Sequence, residues 1–311
     1  MKKAFIRLFI LFTLALCLYG GARLYYRLTG GFMISNITSD FAFQPQWETR
    51  PLLSSEQEEM DQALDQPYYY LAKGCQSYVF SSADGRYVIK FFKYQRYRLQ
   101  PWLAYFPPLP AVVQYREQKN EKKWKKLDGF VSSWKIAFEH LKDETGLVFV
   151  HLNKTSYLNK TLTIYDKIGK KHEVFLDQME FCIQRKAHLL CETMLDYRNK
   201  GDLEGAKKIV DQLICMILSE YSRGLADNDH ALMQNTGVAQ GRPLHLDVGQ
   251  FVLNQEVKEP MIFHQEFFTK TYKFKHWLMK HYPELGEYLD NELRQIIGPD
   301  YVVMQPKWRV K

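Results

Sequence analysis

The 311-residue chain is poor in the features that mark metal-stapled or disulfide-stapled proteins. Its five cysteines, at 17, 75, 182, 191 and 215, show no paired spacing. There is no Cys-x-x-Cys, no Cys-x-x-Cys followed by spaced histidines, and no His-Glu-x-x-His, so neither structural zinc nor zincin chemistry is suggested. Cys182 and Cys191 lie in apolar surroundings and Cys215 in Leu213-Ile214-Cys215-Met216-Ile217, so they read as small buried hydrophobes. Internal repeats and low-complexity tracts are lacking. No nucleic-acid-binding module is recognisable, and no nucleic-acid partner is expected.

What is present is ordinary globular material, 46% apolar and 25% charged, with ample length for a real core. The aromatic content of 15% reads as an aromatic-rich core. A net charge of +7 favours an anionic partner, whether nucleotide, membrane surface or acidic substrate.

Residues 1–30 open Met-Lys-Lys and continue into an apolar run from Leu8 to Tyr19. That run is shorter than the ~20 residues of an ideal spanning helix and also fits a signal peptide. Arg23, Tyr25, Tyr26 and Arg27 supply an interfacial belt, which favours an uncleaved anchor. Lys2, Lys3 and Arg7 argue that the N-terminus stays cytoplasmic and the remainder lies across the membrane; the side is left open. Residues 31–67 mix Ser, Thr, Gln, Pro and Glu and read as a linker.

From 68 to 94 the pattern is strand, small-residue turn, strand, an Ala83-Asp84-Gly85 turn, and a third strand. Lys90 sits in that third run between Val88-Ile89 and Phe91-Phe92, where a lysine needs a partner. An insertion at about 93–126 follows, with four prolines and then a basic helix. It carries nine Lys or Arg against Glu117 and Glu121, interleaved with aromatics. It reads either as a solvated helix face or, beside an anchor, as a surface for anionic headgroups. Residues 130–142 are helical; 147–152, 162–175 and 181–185 are strands. Helices follow over 188–199, 204–222, about 264–280 and about 284–297.

The stretch Arg223 to Phe251 gathers Asp227, Asp229, Asn235 and Asp247, the last in Asp247-Val248-Gly249. Two carboxylates and a carboxamide on neighbouring loops suit metal-assisted phosphoryl transfer. Together with Leu71-Ala72-Lys73-Gly74-Cys75-Gln76-Ser77-Tyr78-Val79 and Tyr87-Val88-Ile89-Lys90, these motifs resemble the protein kinase-like superfamily, in the family's order. The resemblance spans roughly residues 68–297. It implies an α+β, bilobal fold: a β-rich lobe over 68–187 and a helical lobe over 188–311, joined by a hinge near Lys186-Ala187 where adenine sits. By the same resemblance Gly74, Ser77 and Lys90 bind the phosphates of ATP. Asp247 and Asn235 hold Mg²⁺, Asp229 orients the acceptor hydroxyl, and Glu139 or Glu121 pairs with Lys90.

The departures are specific. Ala72 and Ser77 replace two of the loop's three glycines, Asp227-Asn228-Asp229 stands for His-Arg-Asp, and no Ala-Pro-Glu follows. Asn235 lies six positions after Asp229 where five is usual, so spacing leaves Asp227 open beside Asp229. The short stretch beyond Asp247 is similar to atypical and small-molecule kinases. The expectation is therefore a membrane-anchored phosphotransferase acting on a protein, sugar or lipid. An inactive nucleotide- or protein-binding scaffold is the alternative, and an unrelated anchored structural protein is a third reading.

Overall fold

The computed structural model describes residues 2–308. Its elements run α1 (Lys2–Thr29), α2 (Ile34–Ile37), α3 (Ser54–Leu64), β1 (Tyr68–Lys73), β2 (Ser77–Ser82), β3 (Tyr87–Phe92), α4 (Pro110–His140), α5 (Lys142–Thr145) and β4 (Leu147–His151). They continue with β5 (Thr161–Tyr165), β6 (Lys171–Phe175), β7 (Phe181–Arg185), β8 (His188–Leu189), α6 (Leu190–Lys200), α7 (Leu203–Ser222) and β9 (Leu225–Asp227). The last are α8 (Leu232–Asn235), β10 (Thr236–Ala239), β11 (Arg242–His245), β12 (Phe251–Leu253), α9 (Pro260–His281) and α10 (Pro283–Ile297).

Seven strands form one sheet in the order β4-β7-β3-β2-β1-β5-β6. All neighbours are antiparallel except β1 and β5, which run parallel. β3 is central and wholly buried, because both faces of its alternating side chains are covered. Ile89 and Phe91 point into a core shared with Tyr68, Phe80, Val148, Phe181 and Ile183. Phe92 packs on the opposite face against Phe130 and Trp134 of α4. The helical half has its own core, where α7 buries Ala206, Ile209, Val210, Leu213 and Ile217 at helical spacing against α9 and α10. Val248 and Phe251 belong to the α4 core, so the segment after β11 is packed between the two halves.

Three expectations change. Residues 31–67 are not a linker: they carry α2 and α3, and Phe32, Ile37, Trp47, Met60 and Leu64 are buried in the sheet-half cores. Low periodicity hid this, because single large side chains plug the sheet without a long amphipathic element. The basic helix and the 130–142 helix are one 31-residue helix, α4, since nothing between Lys126 and Phe130 breaks it; Gly129 alone is tolerated. Of the five cysteines only Cys182 is buried. Cys215 is exposed, being on the outer face of α7 away from its apolar stripe.

The helix α1 is 28 residues, about 42 Å at 1.5 Å per residue. Its Phe5–Thr29 portion is long and apolar enough to cross a membrane, and none of its most apolar stretch is buried. By length and composition it suits an anchor or a signal sequence equally. The chain then turns at Gly30 and Gly31, both with positive φ (66° and 75°), and enters the sheet core at Phe32. Ser39 donates to Glu180 Oε1 at 2.5 Å.

Trp47 donates from Nε1 to Asp128 Oδ1 at 2.7 Å and stacks on Trp124 with ring centres 5.4 Å apart. Trp47→Ala is expected to cost about 3–5 kcal/mol in denaturant unfolding, against near zero for a true linker. Burial raises the Glu180 carboxyl from 4.5 to about 7, outweighing its bond from Ser39 and the field of Lys154. The folded state therefore keeps a proton that the unfolded state releases, and stability should fall as pH rises from about 4.5 to about 7. Glu180→Gln should flatten that fall in urea unfolding followed across the same range.

Candidate functional site

A cavity of about 690 Å³ opens between the sheet half and the helical half. The β1–β2 turn, β3, the 184–192 segment and the loops around Asp229 and Asp247 form its wall, with Lys73, Gly74, Ser77, Lys90, Asp229, Asn235 and Asp247 among the lining residues. All six residues expected to carry chemistry thus face one space. They come from segments up to 173 positions apart (247 − 74).

Lys90 points from β3 toward the helical half because its neighbours Ile89 and Phe91 take the core face. It is 7% exposed, opposite Cys182 across β7 and Val79 across β2. Its ammonium donates to the Leu246 carbonyl and lies 5.5 Å from the Trp134 ring centre. Burial pulls its pKa below 10.5, against the weaker opposing fields of Cys182 and Asp247. Neither glutamate expected as its partner fills that role. Glu121 is exposed and pairs with Lys125 at 2.7 Å, and the field of Glu139 acts on Arg50. Helix geometry is the reason: the buried stripe of α4 runs through Leu127, Phe130, Val131, Trp134 and Phe138, and position 139 falls on its flank.

The β1–β2 turn is bound from beneath. Gly74 N–H donates to Ser77 O at 3.0 Å, Lys93 Nζ donates to Gly74 O at 2.5 Å, and Arg96 Nη1 donates to Cys75 O at 2.5 Å. Lys73 donates to Gly30 O at 2.8 Å and rests on the Tyr26 ring. Burial, then the nearby charge of Lys73, brings the Lys93 ammonium down to about 8. Three cations therefore crowd one short turn, an arrangement that favours an anion. The Gln76 side chain reaches over Gly249, where an added Cβ would lie 2.2 Å from Gln76 Oε1. A larger residue there would have to push the Gln76 side chain aside and press on the Phe130 ring.

The two aspartates left open by spacing differ in setting. Asp227 ends β9 and is buried; its Oδ2 accepts from Lys270 Nζ at 2.8 Å and its Oδ1 from Asp229 N–H at 2.9 Å. Asp229 lines the cavity, with Oδ2 accepting from Gln250 Nε2 at 2.8 Å and Oδ1 from Ala231 N–H at 3.1 Å. Asn235 ends the single turn α8, with its N–H donating to Ala231 O at 2.9 Å. Asp247 Oδ1 accepts from Gly249 N–H at 3.1 Å. Among the described residues no group of three or more His, Cys, Asp and Glu is arranged to hold a metal.

Sequence reasoning missed Trp134, Lys93, Arg96, Gln250 and Lys270. Lys270 was detectable: it interrupts the apolar stripe of α9 between Phe267 and Phe274, and a cation there needs a buried counter-charge.

No family model matches the chain, and no curated protein does. Several solved structures show a loose likeness, two of them as follows. One is the ternary complex of streptomycin, ATP and APH(2'')-IIa, 14% identical over 83% of this chain and 98% of that one, with a TM-score of 0.24. The other is the ADP-bound aminoglycoside phosphotransferase APH(2'')-Ib, 14% identical over 83% and 93%, with a TM-score of 0.22. Likenesses this loose leave the functional reading to the chain's own residues.

Lys270→Met should destabilise the protein by about 3–5 kcal/mol in chemical denaturation by stranding the Asp227 carboxylate. Adding Asp227→Asn should recover a large part of the loss.

Proposed function

We propose that the chain is an ATP- and Mg²⁺-dependent phosphotransferase of the protein kinase-like superfamily, acting on an acceptor hydroxyl. The observation that carries this reading is the convergence of Lys90, Asp229, Asn235 and Asp247 on one cavity beneath a cation-rich turn. The bilobal division, seven-stranded sheet on one side and helices on the other, agrees with that family's architecture.

The donor set fits Mg²⁺. An Asp247 carboxylate and an Asn235 carboxamide are hard oxygen ligands, and this ion commonly takes only one or two protein groups, completing its shell with phosphate oxygens and water. Bound there, Mg²⁺ would neutralise charge developing on the phosphates. Lys90 would give up the Leu246 carbonyl for a phosphate oxygen, and an adjacent anion would oppose the lowering of its pKa by burial. Lys93 and Arg96 hold the carbonyls of the turn, which keeps those oxygens directed away from an incoming anion. Asp229, its oxygens oriented by Gln250 and the Ala231 amide, would accept the hydrogen bond of the acceptor hydroxyl and align it for attack. Asp227 and Lys270 act through Asp229 by fixing its backbone.

The alternative, a nucleotide-binding scaffold without turnover, is favoured by one observation: Lys90 meets an indole and a carbonyl rather than a carboxylate. Thermal shift of the full chain with ATP and Mg²⁺ separates the outcomes. At 100 times Kd, ligand binding adds about 2.7 kcal/mol of apparent stability, and Lys90→Ala and Asp247→Ala should each abolish the Mg²⁺-dependent part. Asp229→Asn should keep the shift and lower ADP release with a panel of sugar, lipid and protein acceptors by about 10²–10⁴-fold. A shift without ADP release in the wild type would favour the scaffold. No shift at millimolar ATP in a folded protein would sink both nucleotide readings.

A further inference from the structure

We infer that the aromatic and basic surface over residues 96–126 docks on an anionic lipid bilayer. The site chemistry does not use most of this segment. Between β3 and α4 it projects Trp102, Tyr105, Phe106 and Leu109, which are 53%, 88%, 51% and 58% exposed. Trp102 and Phe106 pack edge to face at 5.6 Å, and Arg116 holds the carbonyls of Leu103 and Phe106, so the aromatic tip has a fixed shape. Burying such a patch in water-exposed headgroups removes apolar surface while leaving the polar edges of Trp and Tyr wet.

Cations follow directly. Residues 93–126 hold nine Lys or Arg against two Glu, and Lys119, Lys122, Lys123 and Lys126 recur along α4. Burial, then the fields of Lys126 and Lys119, depress the Lys123 ammonium, showing that these like charges lie close enough to repel. A predominantly cationic surface of this kind is relieved by an anionic plane.

Position on the chain selects a bilayer over another polyanion. Arg98 Nη1 donates to Ser35 O at 2.9 Å, Nη2 donates to Thr38 O, and the guanidinium lies 3.3 Å from Asp40. Ser35 is six residues beyond Thr29 (35 − 29), the end of the one helix among the described residues that is long and apolar enough to cross a membrane. The surface is therefore fastened to the residues that leave that helix. Midway along α4, Trp124 stacks on Trp47, and further on the same helix contributes Trp134 to the lining of the cavity. The inference does not depend on the nucleotide reading.

The test is amide hydrogen exchange of the full chain in nanodiscs of phosphatidylcholine, with and without phosphatidylserine. Slower exchange over 101–126 only with phosphatidylserine, reversed by high salt, is the expected result. Protection should be lost in a Lys119→Gln, Lys122→Gln, Lys126→Gln variant and, separately, in Trp102→Ser. Unchanged exchange in β7 would show that each variant is folded. Equal exchange in both lipids would overturn the inference. So would protection that appears only with added RNA, or that rises with protein concentration regardless of lipid.

Discussion

The two halves of the molecule meet at a buried lysine whose hydrogen bond goes to a backbone carbonyl. Lys90 leaves the central strand and reaches Leu246, in the segment that also carries Asp247. An ammonium in such a place is costly to desolvate, and the Leu246 carbonyl and the Trp134 ring offset part of that cost. Its immediate neighbours divide cleanly: Ile89 and Phe91 fill the sheet core, while Val88 and Lys90 look into the cavity. The strand period of two thus decides which side chains hold the fold and which are left for chemistry.

Below the cavity, order is supplied by buried polar pairs rather than by apolar packing alone. Asp227 with Lys270 and His245 with Glu220, the latter at 2.6 Å, flank the loops that carry Asp229 and Asp247. Gln184 donates to the carbonyls of Thr145 at 2.5 Å and His245 at 2.7 Å, joining the end of α5 to the same region. Such pairs add little net stability but tolerate few alternative arrangements, which suits loops that must hold a geometry.

Much of this was legible in the residues. The strand hairpin, the lysine in an apolar run, the 181–185 strand, the long α7 and the final two helices all announce themselves through period two or period 3.6. Part of the cavity wall was legible too: the residues picked out by the order of the motifs, from Gly74 to Asp247, all line it. Three kinds of information were not readable. Trp47 and Phe32 are isolated plugs whose targets lie far away in the chain, so no local period records them. The partner of Lys90 turns on which flank of α4 faces the sheet, and here the buried stripe presents Trp134 and leaves Glu139 beside it. The short strands β8 to β12 are held by tertiary context and carry too few residues to show any alternation.

The bond from Lys73 to Gly30 has a mechanical consequence. A turn that covers a ligand ordinarily breathes freely, and its fluctuation sets how fast the ligand comes and goes. Here the turn's base is stitched to the exit of the N-terminal helix through Lys73 and Tyr26, and its tip is clamped by Lys93 and Arg96. Tilting or sliding of that helix would therefore pull on the turn as a lever pulls on a latch. On the proposed function, the dwell time of a nucleotide held beneath it would depend on the surroundings of the helix as well as on the cavity itself.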